Sequence, residues 1–225
     1  VVRPINASKS RIRFEVLWLV AASALTFAAF INGEFSQQLG ALMAGLIILF
    51  IVILVIRERR SRPIRSTPKR DNYSAKQAFT YLGMTAGGGL LLYYGGQTLV
   101  LGATTVAKEL GMSPPVIGAT VVAIGTSLPE LAASIVSARR GQPEMALGNI
   151  IGSNIFNILM VLGVTAAISP IPAQWAEHGT RLLIPMLLTL YLAFLLLKAK
   201  RITKLAGTIL LISYISYIIW EIRLT

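Results

Sequence analysis

VVAIGTSLPELAASI, residues 121–135, is apolar or small almost throughout, yet Glu130 sits in it directly behind Pro129. No other residue between Glu109 and Arg139 carries a charge. Apolar runs long enough for a bilayer, which needs about 20 residues per helix, recur around this stretch. They fall at 14–31, 38–56, 77–107, 114–138, 145–168, 180–197 and 203–220. With 55% hydrophobic and 13% charged residues among 225 and a mean hydropathy of +0.70, the chain is well outside the usual soluble balance. The reading is an all-α polytopic membrane protein of about seven transmembrane helices.

The net charge of +12 would suggest nucleic acid in a soluble protein, but its placement fits a membrane. Arg3, Lys9, Arg11 and Arg13 precede the first run, and eight basic residues from Arg57 to Lys76 fill the gap after the second. Arg139 and Arg140 follow the fourth, and Lys198, Lys200, Arg201 and Lys204 join the sixth to the seventh. If the spans alternate, these 18 of 21 basic residues share one side, and the other keeps Lys108, Arg181 and Arg223. By the positive-inside rule the N-terminus and the linker 57–76 are cytoplasmic and the C-terminus is outside. The basic surplus then faces anionic lipid headgroups, and no nucleic-acid partner is expected. Zero cysteines exclude disulfides and thiolate metal sites.

Two parts of the chain echo each other. "RPINASKSRIRFEVLWLV" and "INGEFSQQLGALMAGLIILFIVILVI" near the start match "SPIPAQWAEHGTRLLIPML" and "KAKRITKLAGTILLISYISYII" near the end. Pro4-Ile5 aligns with Pro170-Ile171 at an offset of 166, and Gly40 with Gly207 at 167. The matching linkers have opposite charge character, so the two hairpins cross in opposite directions, as inverted-topology repeats do; two unrelated apolar hairpins are the other reading. In the repeat reading 1–56 holds the last two spans of one copy, 57–76 is a basic linker and 77–225 is a complete five-span copy. Three further spans, about a hundred residues at bilayer length, are then expected ahead of Val1, from the same protein or a companion chain.

Pro129 has no N–H, so the Gly125 carbonyl loses its helical partner and the helix kinks or breaks. Ser127-Leu-Pro-Glu130 also reads as a capping box. Freed carbonyls, two hydroxyls and a carboxylate are hard-oxygen ligands of the kind sodium and calcium take. A capped, kinked packing helix is the alternative. "GNIIGSNIFNILMVLG", residues 148–163, adds Asn149, Ser153, Asn154 and Asn157, with Ser153 and Asn157 on one helical face. These are either ligands or polar contacts between closely packed helices.

Together "GATVVAIGTSLPELAASI" (118–135) and "GNIIGSNIFN" (148–157) resemble the second alpha-repeat of the sodium/calcium exchangers, in the cation/calcium antiporter superfamily. The resemblance implies helices 4–10 of a ten-helix inverted-repeat exchanger. It implies a metal site of Glu130, shared by calcium and sodium, with Thr126 and Ser127 beside it. Ala123 would contribute a backbone carbonyl, and Ser153 and Asn157 would face them. Some family members carry an acid where Asn157 stands. The long third span, with "TAGGGLLLYYGGQ" at 85–97, resembles the helix that slides across the core during transport.

The expected activity is secondary antiport of calcium against sodium, both ions being cargo, with no cofactor. Proton/calcium exchange and a non-transporting scaffold subunit are the alternatives. An enzyme is not expected: Glu130 is read as the one acid within the spans, and the single histidine, His178, as an outer-loop residue.

Overall fold

The computed structural model describes residues 5–6, 10–61, 74–112, 114–199 and 201–223. Most of the basic linker, residues 62–73, therefore lies outside the described residues. The chain begins with β1 (Ile5–Asn6), α1 (Ser10–Asn32), β2 (Glu34–Phe35), α2 (Gln37–Ser61) and α3 (Ala75–Glu109). It continues with α4 (Pro114–Ile117), a π-helical turn (Gly118–Val122), α5 (Ala123–Thr126) and α6 (Leu128–Arg139). Next come α7 (Pro143–Phe156), a second π-helical turn (Asn157–Leu162) and α8 (Gly163–Ile168). The last elements are β3 (Ile171–Pro172), α9 (Trp175–Phe194), a third π-helical turn (Leu195–Ala199), β4 (Arg201–Ile202) and α10 (Lys204–Arg223).

Every expected apolar run is helical. Ile12–Asn32, Gln37–Arg60, Lys76–Glu109 and Pro143–Ile168 are long and apolar enough to cross a membrane, and the bent pair Thr120–Thr126 with Leu128–Arg139 makes a fifth. Leu182–Lys198 and Lys204–Trp220 are shorter apolar helices. Because α9 already begins at Trp175, His178 lies in a helix rather than in the expected loop.

The chain divides into two compact units, Val1–Ile51 with Glu130–Leu224, and Val52–Pro129. In the first, α1 packs on both α7 and α9. Its buried face, Ile12, Val16, Leu19 and Ala22, follows the three- and four-residue spacing of one helical stripe. Leu147, Ile151, Ile155 and Leu159 answer it at four-residue steps, each at most 2% exposed. Phe14, Trp18 and Phe50 add an aromatic cluster, Phe14 stacking on Phe50 at 5.8 Å between centroids. At the α2–α8 crossing Gly40 and Gly163 let main chain meet main chain. A Cβ on Gly40 would lie 2.7 Å from the Gly163 oxygen and against Ala167 N.

Two short strand pairs join the two echoing hairpins. β1 pairs antiparallel with β4, Ile5 opposite Ile202 and Asn6 opposite Arg201. β2 pairs antiparallel with β3, Glu34 opposite Pro172 and Phe35 opposite Ile171. Shifting β1 by 166 gives β3 and shifting β2 by 167 gives β4, the offsets by which the two hairpins echo in sequence. Under that shift the Ile5–Ile202 pair maps onto the Phe35–Ile171 pair, so the register reproduces itself. Each copy's first strand pairs with the other copy's second. Since α1 leads from β1 to β2 and α9 from β3 towards β4, the two helices run in opposite directions. The β1–β4 pair therefore lies at one end of α1 and the β2–β3 pair at the other.

In the second unit α3 is capped by Ser74 and Gln77. The Ser74 N–H donates to Gln77 Oε1 at 3.0 Å, and the Gln77 N–H donates to Ser74 Oγ at 3.4 Å. α3 packs against α4, the first π-helical turn and α5. Much of its surface is exposed and apolar, Phe79, Leu91 and Leu101 among it, as suits lipid-facing helix.

Candidate functional site

In the second unit, Ala123, Thr126 and Ser127 follow directly on the first π-helical turn. Such turns leave the regular ladder locally irregular and are frequent at functional sites. The Thr126 hydroxyl donates to the Val122 oxygen at 2.9 Å and lies 3.3 Å from the Ala123 oxygen. The carbonyl expected to serve a cation therefore also touches the neighbouring hydroxyl. Ala123, Thr126 and Ser127 are all exposed. Gly125 is buried, and a Cβ there would collide with Val100 Cγ2 of α3. A cavity of about 470 Å³ is lined by Tyr93, Gln97, Val100, Gly125, Thr126 and Pro129, with Gln97 Nε2 donating to the Tyr93 hydroxyl at 2.8 Å.

The helix bends by 44° at Ser127, between Thr126 and Leu128. The expected kink is present, but the capping box is not formed among the described residues. A capping serine needs extended backbone, whereas Ser127 stays right-handed at φ −90°, ψ −2°. Its N–H donates to the Ile124 oxygen at 3.1 Å, so the chain turns over instead of stopping and restarting.

In the first unit, Glu130 occupies the first turn of α6. It is half-buried, and its Oε2 atom is buried with no hydrogen-bond partner among the described residues. Asn149 of α7 approaches it from the main-chain side, Nδ2 donating to the Glu130 oxygen at 3.1 Å and to Ser134 Oγ at 3.0 Å. The Ser153 hydroxyl donates to the Ile150 oxygen at 3.1 Å, and Asn154 Nδ2 to the same oxygen at 2.8 Å. Asn157 is exposed and opens the second π-helical turn, its N–H reaching the Ser153 oxygen. Ser153 and Asn157 thus share the expected face. Asn154 bonds within its own helix.

Glu15 was missed. Glu15 lies inside the run 14–31, so Glu130 is not the one acid within the spans, and Glu15 is 3% exposed in the core of the first unit. It lines a cavity of about 660 Å³ together with Glu144, Ser137 and Asn149. The available signal was its spacing, since Glu15 falls on the α1 stripe of Ile12, Val16 and Leu19. With a second acid inside the spans, acid count no longer argues against an enzyme.

Comparison with known proteins supplies that argument instead. The family model described as sodium/calcium exchanger protein matches residues 80–223. This chain belongs to the sodium/calcium exchanger family. It is 38% identical over 228 residues to CaxA of Alkalimonas amylolytica, a candidate antiporter, covering 96% of this chain and 70% of CaxA. It is 38% identical over 85 residues to the sodium/calcium exchanger MaX1 of Methanosarcina acetivorans, covering 38% of this chain and 24% of MaX1. Among solved structures it superposes on the sodium-calcium exchanger NCX_Mj, soaked with sodium and strontium, with a TM-score of 0.73 and 30% identity. That match covers 97% of this chain and 68% of NCX_Mj. The exchanger fold, a multi-pass membrane location and a cation/calcium antiporter class follow from the family; the class is one of transporters rather than enzymes.

Proposed function

We propose that this exchanger moves calcium against sodium, binding both in turn at Glu130, with oxygens of Thr126, Ser127, Ser153 and Asn157 and the Ala123 carbonyl completing its share of the site. The observation that carries this is the Glu130 carboxylate. A buried acceptor with no donor is costly, and an ionisable group at membrane depth is costlier still; a bound cation offsets both. The bend at Ser127 supports the reading, because irregular backbone at that depth suits a site of carbonyls and hydroxyls. Calcium takes about six to eight oxygens, usually with more than one carboxylate. The residues named here are therefore read as one part of the coordination shell, not the whole of it. The basic segments 1–13, 57–76 and 198–204 face the cytoplasm and its anionic lipid, and the C-terminus faces outside.

The test is calcium-45 uptake into sealed vesicles carrying the full-length protein, with an imposed sodium gradient. Glu130→Gln keeps the shape and removes the charge, and uptake falls at least about tenfold. Uptake unchanged in the variant refutes Glu130 as the ligand, and a parent protein that shows no uptake leaves a scaffold role. Uptake driven by a pH gradient and indifferent to sodium makes the protein a proton/calcium exchanger.

A further inference from the structure

α6, which carries Glu130, has almost no apolar anchor. Its one buried residue is Ser134, while Leu131 and Val136 are 53% and 48% exposed. What ties it to α7 inside the first unit is polar. Asn149 Nδ2 spends one hydrogen on the Glu130 carbonyl at 3.1 Å and the other on Ser134 Oγ at 3.0 Å. The Ser134 hydroxyl in turn donates to the Ala146 oxygen at 3.5 Å. A side-chain amide has two N–H hydrogens, so the donor capacity of Asn149 is fully committed to α6. Residues 130 and 134 are one helical turn apart, and a single amide therefore braces the whole first turn. The Glu130 Oε2 atom, by contrast, has no hydrogen-bond partner among the described residues. Main chain and side chain are treated oppositely at the same residue: one held, the other left uncommitted.

We infer that Asn149 is a positioning residue for the cation ligand Glu130. It does not ligate the ion through its NH2 group. It fixes the first turn of α6 so that the carboxylate is presented in one place, which lowers the reorganisation needed when the cation arrives. The inference rests on the reading of Glu130 as the ligand.

Four variants of the full-length antiporter test it by sodium-driven calcium-45 uptake in sealed vesicles, normalised to folded protein: Asn149→Ala, Asn149→Leu, Ser134→Ala and Glu130→Gln. Leucine keeps the volume of asparagine and loses both donors, so it separates lost packing from lost hydrogen bonds. Both Asn149 variants are expected to raise the calcium KM about three- to twentyfold with Vmax within about twofold, the range of a polar contact between membrane helices. Ser134→Ala leaves the bond to the Glu130 carbonyl and raises KM less. If Glu130→Gln abolishes uptake while the Asn149 variants lower only yield or Vmax, the positioning role is overturned and the site stands. If Glu130→Gln transports normally, the ligand reading and the positioning role fall together.

Discussion

Gly40→Ala, compared with Gly45→Ala on the same helix, tests the α2–α8 crossing on which the first unit is built. At position 40 the new Cβ would sit 2.7 Å from both the Gly163 oxygen and the Ala166 carbonyl carbon, and against Ala167 N. Ordinary contact begins at 3.4 Å, so the helices must part by at least about 0.7 Å, a gap that forfeits a quarter to a half of each dispersion contact along the crossing. All three obstructing atoms are main chain, so no side chain can swing aside. The cost falls at the upper end of overpacking, about 3 kcal/mol. At position 45 nothing lies within 4 Å, and alanine there is tolerated. The gain in helix propensity, up to about 1 kcal/mol, is common to both variants and cancels. The difference between them is therefore about 3 kcal/mol, or about 6–12 °C in Tm for a chain of this size. Thermal melts of the purified full-length protein in detergent, followed by tryptophan fluorescence, read it directly, since Trp18 packs on Phe50 of α2. Two variants melting within about 2 °C of each other would refute the close crossing.

Two further outcomes are expected. Gly125→Ala drives its Cβ into Val100 Cγ2, and valine has few rotamers to escape into, so stability drops by about 1–3 kcal/mol. Adding Val100→Ala returns part of that loss, with a coupling of at least about 0.5 kcal/mol; strictly additive effects would show that α3 does not press on the bend. The absence of cysteine makes single-cysteine labelling clean for topology. Glu34→Cys and Lys204→Cys, both at exposed positions and at opposite ends by the strand pairing, should react with an impermeant maleimide from opposite faces. Glu34→Cys labels in intact cells and Lys204→Cys only after permeabilisation; labelling of both from one face contradicts the assigned orientation.

The helices were legible because a bilayer imposes length and apolarity together; five of the seven runs carry both among the described residues, while Leu182–Lys198 and Lys204–Trp220 carry the apolarity at shorter length. The strand pairs were not legible as strands, since two residues have no period to read. The echo of Pro4-Ile5 in Pro170-Ile171 aligns β1 with β3, but the pairing joins β1 to β4 and β2 to β3, which the echo alone does not indicate. The π-helical turns left no sequence signal: Gly118–Val122 and Asn157–Leu162 are ordinary apolar text around one polar residue each. The capping box failed for a local reason. The motif requires its serine in extended backbone, and a bend of 44° with one non-helical residue leaves no room for that.

The buried Glu15 and the half-buried Glu130 show where such reading succeeds and fails. Glu130 stands out because no charge lies within eight residues of it on either side, so any account of its segment must explain it. Glu15 follows Arg11 and Arg13 by two to four residues and, although it lies in the run 14–31, is grouped by eye with the charges of the basic segment. Its burial is dictated by angle rather than by neighbours, because positions 12, 15, 16 and 19 cover one face of a helix. That face of α1 is turned towards α7, close enough that a Cβ on Gly148 would lie 3.7 Å from Glu15 Oε2. A search for isolated charges in apolar text therefore recovers acids at the middle of a span and misses acids at its basic edge. Projecting every flanking charge onto the buried stripe of its helix recovers both kinds.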